Sequence, residues 1–216
     1  MRVQKIVPLD ELDKQEAWVL FRVMAGGEAV DSSDLNHIAR EVADACGGMP
    51  LVIVTIATGL KNKKHHVWAA RARQLKNSNL QQGMEKNVFA KLELSFNYPE
   101  REEAKLLFLL CSLFPEDHDI SVEDLMRYTV GLKVFEDVHT IEEARYTAHD
   151  VASTLTDSLM LLDGSKKGFV KMHDVLHDVA IYISSKDDKY RFKVMAGLKN
   201  WPVTQTFENY SAISLI

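Results

Sequence analysis

The chain has 216 residues, enough for one sizeable core or two small ones at roughly 100 to 200 residues per domain, and two modules are expected. Apolar residues at 46% and charged residues at 26% exclude a disordered or fibrous class, while a net charge of −5 with scattered Lys and Arg excludes the basic face that a phosphate backbone selects. Cys46 and Cys111 match no zinc, redox or disulfide-scaffold spacing, and the most apolar stretch, Leu51 to Leu60, falls short of the ~20 residues that span a bilayer, so a soluble, cytoplasmic chain without signal peptide or membrane segment is expected.

In chain order, Val3 to Val7 reads as a short strand ended by Pro8, and Ala17, Trp18, Phe21 and Met24 keep helical spacing from Asp13 to the Gly26-Gly27 stop. A second helix is expected behind Ser32, Ser33 and Asp34 as N-caps, with Leu35, Ile38, Ala39, Val42 and Cys46 on one face and Gly47-Gly48 as its end. Pro50 stands where a first-turn proline belongs, opening an all-round apolar helix to Leu60 that should be buried on every side. The lysine-rich run from Lys61 to Lys64, with His65-His66, reads as a solvated exit loop, and Val67, Trp68 and Leu75 mark a fourth helix.

Asn77 to Gly83 is polar and is taken as a module boundary. Beyond it, Val88, Phe89, Leu92 and Phe96 form a helix broken by Pro99, and Glu102 to Leu113 another, stopped by Phe114-Pro115. Ser121 with Asp124 resembles a capping box, and Ile141 to Leu159 keeps helical spacing over five turns. The period then changes: Leu159 to Leu162 and Phe169 to Met172 flank the Asp163-Gly164 turn as a hairpin, before a last helix from His173-Asp174 through Ile183. Helices followed by such a hairpin describe a winged helix. The fold expected is mainly α: a small helical bundle followed by a winged-helix domain with a short β-hairpin wing. The charged segment from Asp187, the Trp201-Pro202 turn and the alternating tail Ala212 to Ile216 follow, and both termini read as the edges of a longer chain.

Four segments, in this order and spacing, resemble the nucleotide-binding region of plant disease-resistance proteins with an N-terminal coiled coil and leucine-rich repeats. Leu9, Leu12, Glu16-Ala17-Trp18 and Leu20-Phe21 are similar to the segment that closes that family's nucleotide-binding subdomain. Gly48-Met49-Pro50-Leu51 resembles its GLPL motif with Met49 in place of Leu, Leu109 to Asp117 its CSLFPED segment, and Met172-His173-Asp174 its MHD triplet. The resemblance implies four parts: residues 1–30 as the end of the nucleotide-binding subdomain, 31–83 as a helical subdomain, 84–186 as a winged-helix subdomain, and 187–216 as a linker and the start of leucine-rich repeats. It also implies an intracellular immune receptor that works as an ADP/ATP-dependent switch, with Pro50 and His173 as the cofactor-binding residues. The implied partners are the rest of the nucleotide-binding domain, the repeats, further copies of the receptor on activation, and a pathogen effector or guarded host protein.

The chemistry of these residues suits those roles. A proline ring at a helix start offers a flat apolar surface without a competing N–H, on which an adenine can pack, although Gly-Gly-x-Pro also serves simply to end one helix and begin another. A histidine at a helix N-terminus adds an imidazole N–H to the unpaired backbone donors that favour a phosphate, although it also serves as a cap; Asp174 reads as a cap. Phe114 to Asp117 reads as a structural turn. His173 and His177 share a helix face, yet Asp174 replaces the longer Glu of a zinc-protease motif and no third ligand is evident, so no metal site is expected. No GxxxxGK[ST] and no strand ending in paired acids occurs, so no catalytic residue is named and this chain alone is expected to hold ADP or ATP weakly or not at all. A nucleic-acid-binding winged helix is the alternative class, disfavoured by the acidity; a truncated interaction module is another.

Overall fold

The computed structural model describes residues 11–78, 84–97, 101–135, 137–186, 191–195 and 210–215. The expected strand at Val3 to Val7, most of the boundary at 79–83, Pro99, the start of the charged segment at 187–190, Trp201-Pro202 and Ile216 lie outside these residues. The chain divides into two compact units, Met1–Lys91 and Leu92–Ile216, and the fold is mainly helical with a few short strands.

The first unit contains α1 (Lys14–Met24), a 3-10 turn (Gly27–Ala29), α2 (Asn36–Cys46), α3 (Pro50–Leu60) and α4 (His65–Ser78), and it includes the start of α5 (Met84–Phe96). Asp13 starts α1 with a capping box: its side chain takes the N–H groups of Gln15 and Glu16, each at 2.8 Å, while the Glu16 carboxylate takes its own N–H. Helix α1 packs on α2 and α3, and α2 on α4. The core closes around Trp18 and Phe21, stacked at 6.3 Å, with Phe21 edge-on to Trp68 at 6.0 Å and Ile53, Leu60 and Leu75 fully buried. No residue of α3 after Pro50 is exposed, as its continuous apolar sequence requires.

Two expectations change here. Leu35, not Ser32, Ser33 or Asp34, stands at the N-cap of α2 and no side chain caps it. The Ser32 carbonyl instead accepts the N–H groups of Leu35 and Asn36 at 3.2 and 2.9 Å, so backbone turn bonds replace the side-chain cap. His65 and His66 are solvated but helical, forming the first residues of α4, which the Lys64 carbonyl initiates by accepting the Val67 and Trp68 N–H groups.

The second unit holds the rest of α5, then α6 (Glu102–Cys111), β1 (Ile120–Ser121), α7 (Val122–Gly131), α8 (Ile141–Asp157), β2 (Leu162–Asp163), β3 (Phe169–Lys171), α9 (Asp174–Lys186), β4 (Phe192–Met195) and β5 (Ala212–Leu215). Helix α6 packs on α7, α8 and α9, and Leu106 through Leu110 of α6 are buried on all sides, which makes it the centre of this core. The hairpin β2–β3 is the expected wing, but its first strand is Leu162–Asp163 rather than Leu159 to Leu162, so Asp163 pairs with Val170 instead of turning. Gly164 is required in its turn because a Cβ there would lie 2.7 Å from the Phe169 backbone, whose carbonyl accepts the Gly164 N–H at 2.9 Å. The sequence reading lacked β1, which pairs antiparallel to β3 (Ile120 opposite Val170) and gives a three-stranded order β1-β3-β2. Helix α8 ends at Asp157 rather than at Leu159, which adopts a left-handed φ of 57° while Met160 and Leu161 both donate to the Leu155 carbonyl. Ile141, placed in the apolar series, is 67% exposed at the first position of α8. The tail strand β5 pairs parallel with β4, Phe192 opposite Ala212. No helix among the described residues is long and apolar enough to cross a membrane.

Candidate functional site

Pro50 is the first residue of α3 and is exposed. The turn before it is built from two left-handed glycines, Gly47 and Gly48, each at φ 75°. Gly47 closes α2 as its C-cap, its N–H on the Asp44 carbonyl at 3.2 Å. Gly48 is fixed by a close approach: its carbonyl accepts the Leu12 N–H at 2.9 Å, and a Cβ on it would stand 2.5 Å from the Leu12 carbonyl oxygen. Met49 holds the N-cap in an extended conformation and its carbonyl accepts the Ile53 N–H at 3.0 Å. The proline ring needs no donor at this first-turn position and is exposed.

A residue that the sequence reading missed underlies this turn. Lys91 of α5 is 6% exposed, and its Nζ donates to the Cys46 carbonyl at 3.4 Å. Its pKa is lowered, first by desolvation, with Cys46 and Glu11 acting in the opposite sense. The cation thereby caps the C-terminal end of α2, where the helix dipole favours it. Burial pushes the Cys46 thiol up to about 12, so it behaves as a small apolar residue.

His173 precedes α9. Its carbonyl accepts the His177 N–H at 2.9 Å, the first bond of the helix, and its Nδ1 takes the Val175 N–H at 3.3 Å. Asp174 also takes the Val175 N–H, at 2.6 Å, and its carboxylate lies against His173 Nδ1. One of the backbone donors on which an anion was expected to rest is therefore already satisfied by the chain itself. Both side chains remain open to solvent, His173 at 44% and Asp174 at 62%, and with Nδ1 engaged internally, Nε2 is the ring nitrogen left for a ligand.

His177, one turn on, does not share this exposure: it is buried, with Nε2 2.9 Å from the Phe114 carbonyl. That contact fastens α9 to the Phe114 to Asp117 turn. The Phe114 ring stacks on His118 at 5.7 Å and tilts against Tyr128 at 6.1 Å, and Asp117 bends the chain with a φ of 57°. In that contact the turn contributes the Phe114 carbonyl. Ser121 caps α7 by accepting the Asp124 N–H at 3.4 Å, but the Asp124 carboxylate pairs with Arg127 instead of returning to Ser121, so the capping box is half formed.

No family model matches the chain. Among curated proteins it is similar to disease resistance protein At4g27190 of Arabidopsis thaliana, 36% identical over 201 residues that make up 91% of this chain and 20% of that protein. Disease resistance protein RPS5 of the same plant is 31% identical over 213 residues, 95% of this chain and 24% of its own length. Disease resistance protein RFL1, also from Arabidopsis thaliana, is 30% identical over 223 residues, 100% of this chain and 25% of its length. The chain thus spans a fifth to a quarter of the curated relatives it matches. Identity of 30–36% over 91–100% of its length shows that the chain belongs to the plant disease-resistance protein family, as a homologue of one stretch of those longer proteins.

Proposed function

We propose that the chain acts in plant defence by supplying the helical and winged-helix modules that hold ADP in the resting state of a cytoplasmic immune receptor, an ADP/ATP-dependent switch. The observation that carries this reading is His173: a half-exposed imidazole at the start of α9, held by its Nδ1 so that Nε2 can donate to a phosphate oxygen. The exposed ring of Pro50 on a rigid double-glycine turn supports it as a surface for the adenine. The printed names of the relatives, all disease resistance proteins, support the defence role. The partners in this reading are the rest of a nucleotide-binding domain, leucine-rich repeats, further receptor copies on activation, and a pathogen effector or guarded host protein. A ligand that binds one arrangement of modules better than another biases the equilibrium between them by that difference in affinity, which is how ADP would lock the resting state.

The test is ADP retention by a reconstituted longer protein that includes the complete nucleotide-binding region. One hydrogen bond to a charged group is worth about 1.5–3 kcal/mol, so His173→Ala should raise the ADP dissociation constant at least about tenfold. Pro50→Ala should weaken ADP more modestly. Unchanged ADP retention in both variants refutes the assignment.

A further inference from the structure

We propose that Glu116, His177 and Asp178 form a binding site for one divalent transition-metal ion of the zinc class. His177 is 6% exposed, and its Nε2 meets the Phe114 carbonyl at 2.9 Å. A carbonyl only accepts, so Nε2 carries the proton of this contact and the ring's lone pair stands on Nδ1. Nδ1 is buried and has no hydrogen-bond partner. Leaving such an acceptor unpaired is costly, and an ionised carboxylate, which offers only acceptors, cannot relieve it.

The fold nevertheless brings two carboxylates to this imidazole. A ring nitrogen of His177 and one oxygen each from Glu116 and Asp178 lie within 4.8 Å of one another. Glu116 comes from the turn after α6, fixed by the left-handed Asp117 and by the His118 N–H on the Pro115 carbonyl at 3.3 Å. A cation between the three groups would satisfy Nδ1 and both carboxylates at once. A metal-bound imidazole is ordinarily held in this way, with one nitrogen donating to a backbone carbonyl, which sets the tautomer and ring plane, while the other binds the ion.

Mixed imidazole and carboxylate donors suit zinc and its transition-metal neighbours, whereas magnesium and calcium take all-oxygen shells. Glu116 and Asp178 are exposed, which gives the ion an entry path and leaves a further position to water. The ion would join the turn after α6 to the first turn of α9. His173, the partner that helical spacing suggests for His177, takes no part, since it is not among the three residues whose ligand atoms lie within 4.8 Å of one another.

The site stands independently of nucleotide binding and is tested on the chain itself, without affinity tag and stripped of metal by a chelator. Calorimetric titration with zinc sulfate should show one equivalent bound, and magnesium sulfate at the same concentration should neither bind nor compete. Glu116→Gln and Asp178→Asn should each weaken zinc at least about tenfold while leaving the unfolding midpoint in chelator unchanged, because both residues are exposed. His177→Ala should abolish binding; if it fails to fold, the two exposed variants decide the question. Absence of stoichiometric zinc uptake, or undiminished affinity in both carboxylate variants, which would put the ion on surface histidines, overturns the proposal.

Discussion

Replacing Gly48 with alanine should cost roughly 3–6 kcal/mol of folding free energy, a sum of three effects that the structure separates. The φ of 75° lies in the left-handed region, which costs an L-residue about 1–2 kcal/mol. The new Cβ would sit 2.5 Å from the Leu12 carbonyl oxygen and 3.3 Å from its nitrogen, so backbone must shift, at about 1–3 kcal/mol for overpacking. That shift stretches the Leu12 N–H bond to the Gly48 carbonyl, 2.9 Å, worth about 1 kcal/mol. Gly47 is the internal control. It shares the φ of 75°, but a Cβ there would meet only Lys91 Nζ at 3.1 Å, the far end of a flexible side chain. Gly47→Ala should therefore cost about 1–2 kcal/mol, leaving a gap of about 2 kcal/mol or more between neighbouring glycines of equal φ. Urea unfolding followed by tryptophan fluorescence, with Trp18 and Trp68 reporting on this unit, measures both. Equal losses in the two variants, or a Gly48→Ala loss below about 1 kcal/mol, would refute the close-approach account.

Three further outcomes follow from the caps, the charges and the buried thiols. Thr140→Ala should destabilise the second unit by about 1 kcal/mol in urea, since Thr140 and Glu143 form a full capping box on α8, and Thr140→Ser should not. The Ser165 hydroxyl, then its N–H, and Lys171 beyond them, hold Asp119 below its ordinary value of 3.8. A carboxyl with a depressed folded pKa contributes stability that is complete above its unfolded value and lost as pH falls through the folded one. Thermal midpoints measured from pH 7 down to about 2 should fall less steeply in Asp119→Asn, whose neutral-pH midpoint starts lower. Cys46 and Cys111 are both buried with raised pKa values, so the native chain at pH 8 should resist iodoacetamide and gain two adducts only in denaturant, as read by mass spectrometry.

Where helices begin and stop was largely legible, because the determinants are local. Asp13 three residues ahead of Glu16, Gly26-Gly27, Gly47-Gly48 before Pro50, and the change of period after Leu159 each act through neighbours within a few residues. The same locality left the cap at Ser32 to Asp34 undecided. Good capping residues stood there, and only the backbone path decided that the Ser32 carbonyl would do the work at α2.

For the candidate site, the sequence by itself determined residue chemistry and motif order: a proline at a helix start, a histidine before another, and the segment that separates them. Tertiary structure alone decided which of these groups are reachable and which are held. His177 and His173 carry the same imidazole one turn apart, yet His173 is half-exposed while His177 is buried on a carbonyl 63 residues away. Lys91 looks like any surface lysine until it is found on the Cys46 carbonyl, 45 residues away, and Ile120 acquires strand character only because Val170 lies opposite it. Burial and pairing depend on partners distant in sequence, and helical periodicity carries no information about those partners.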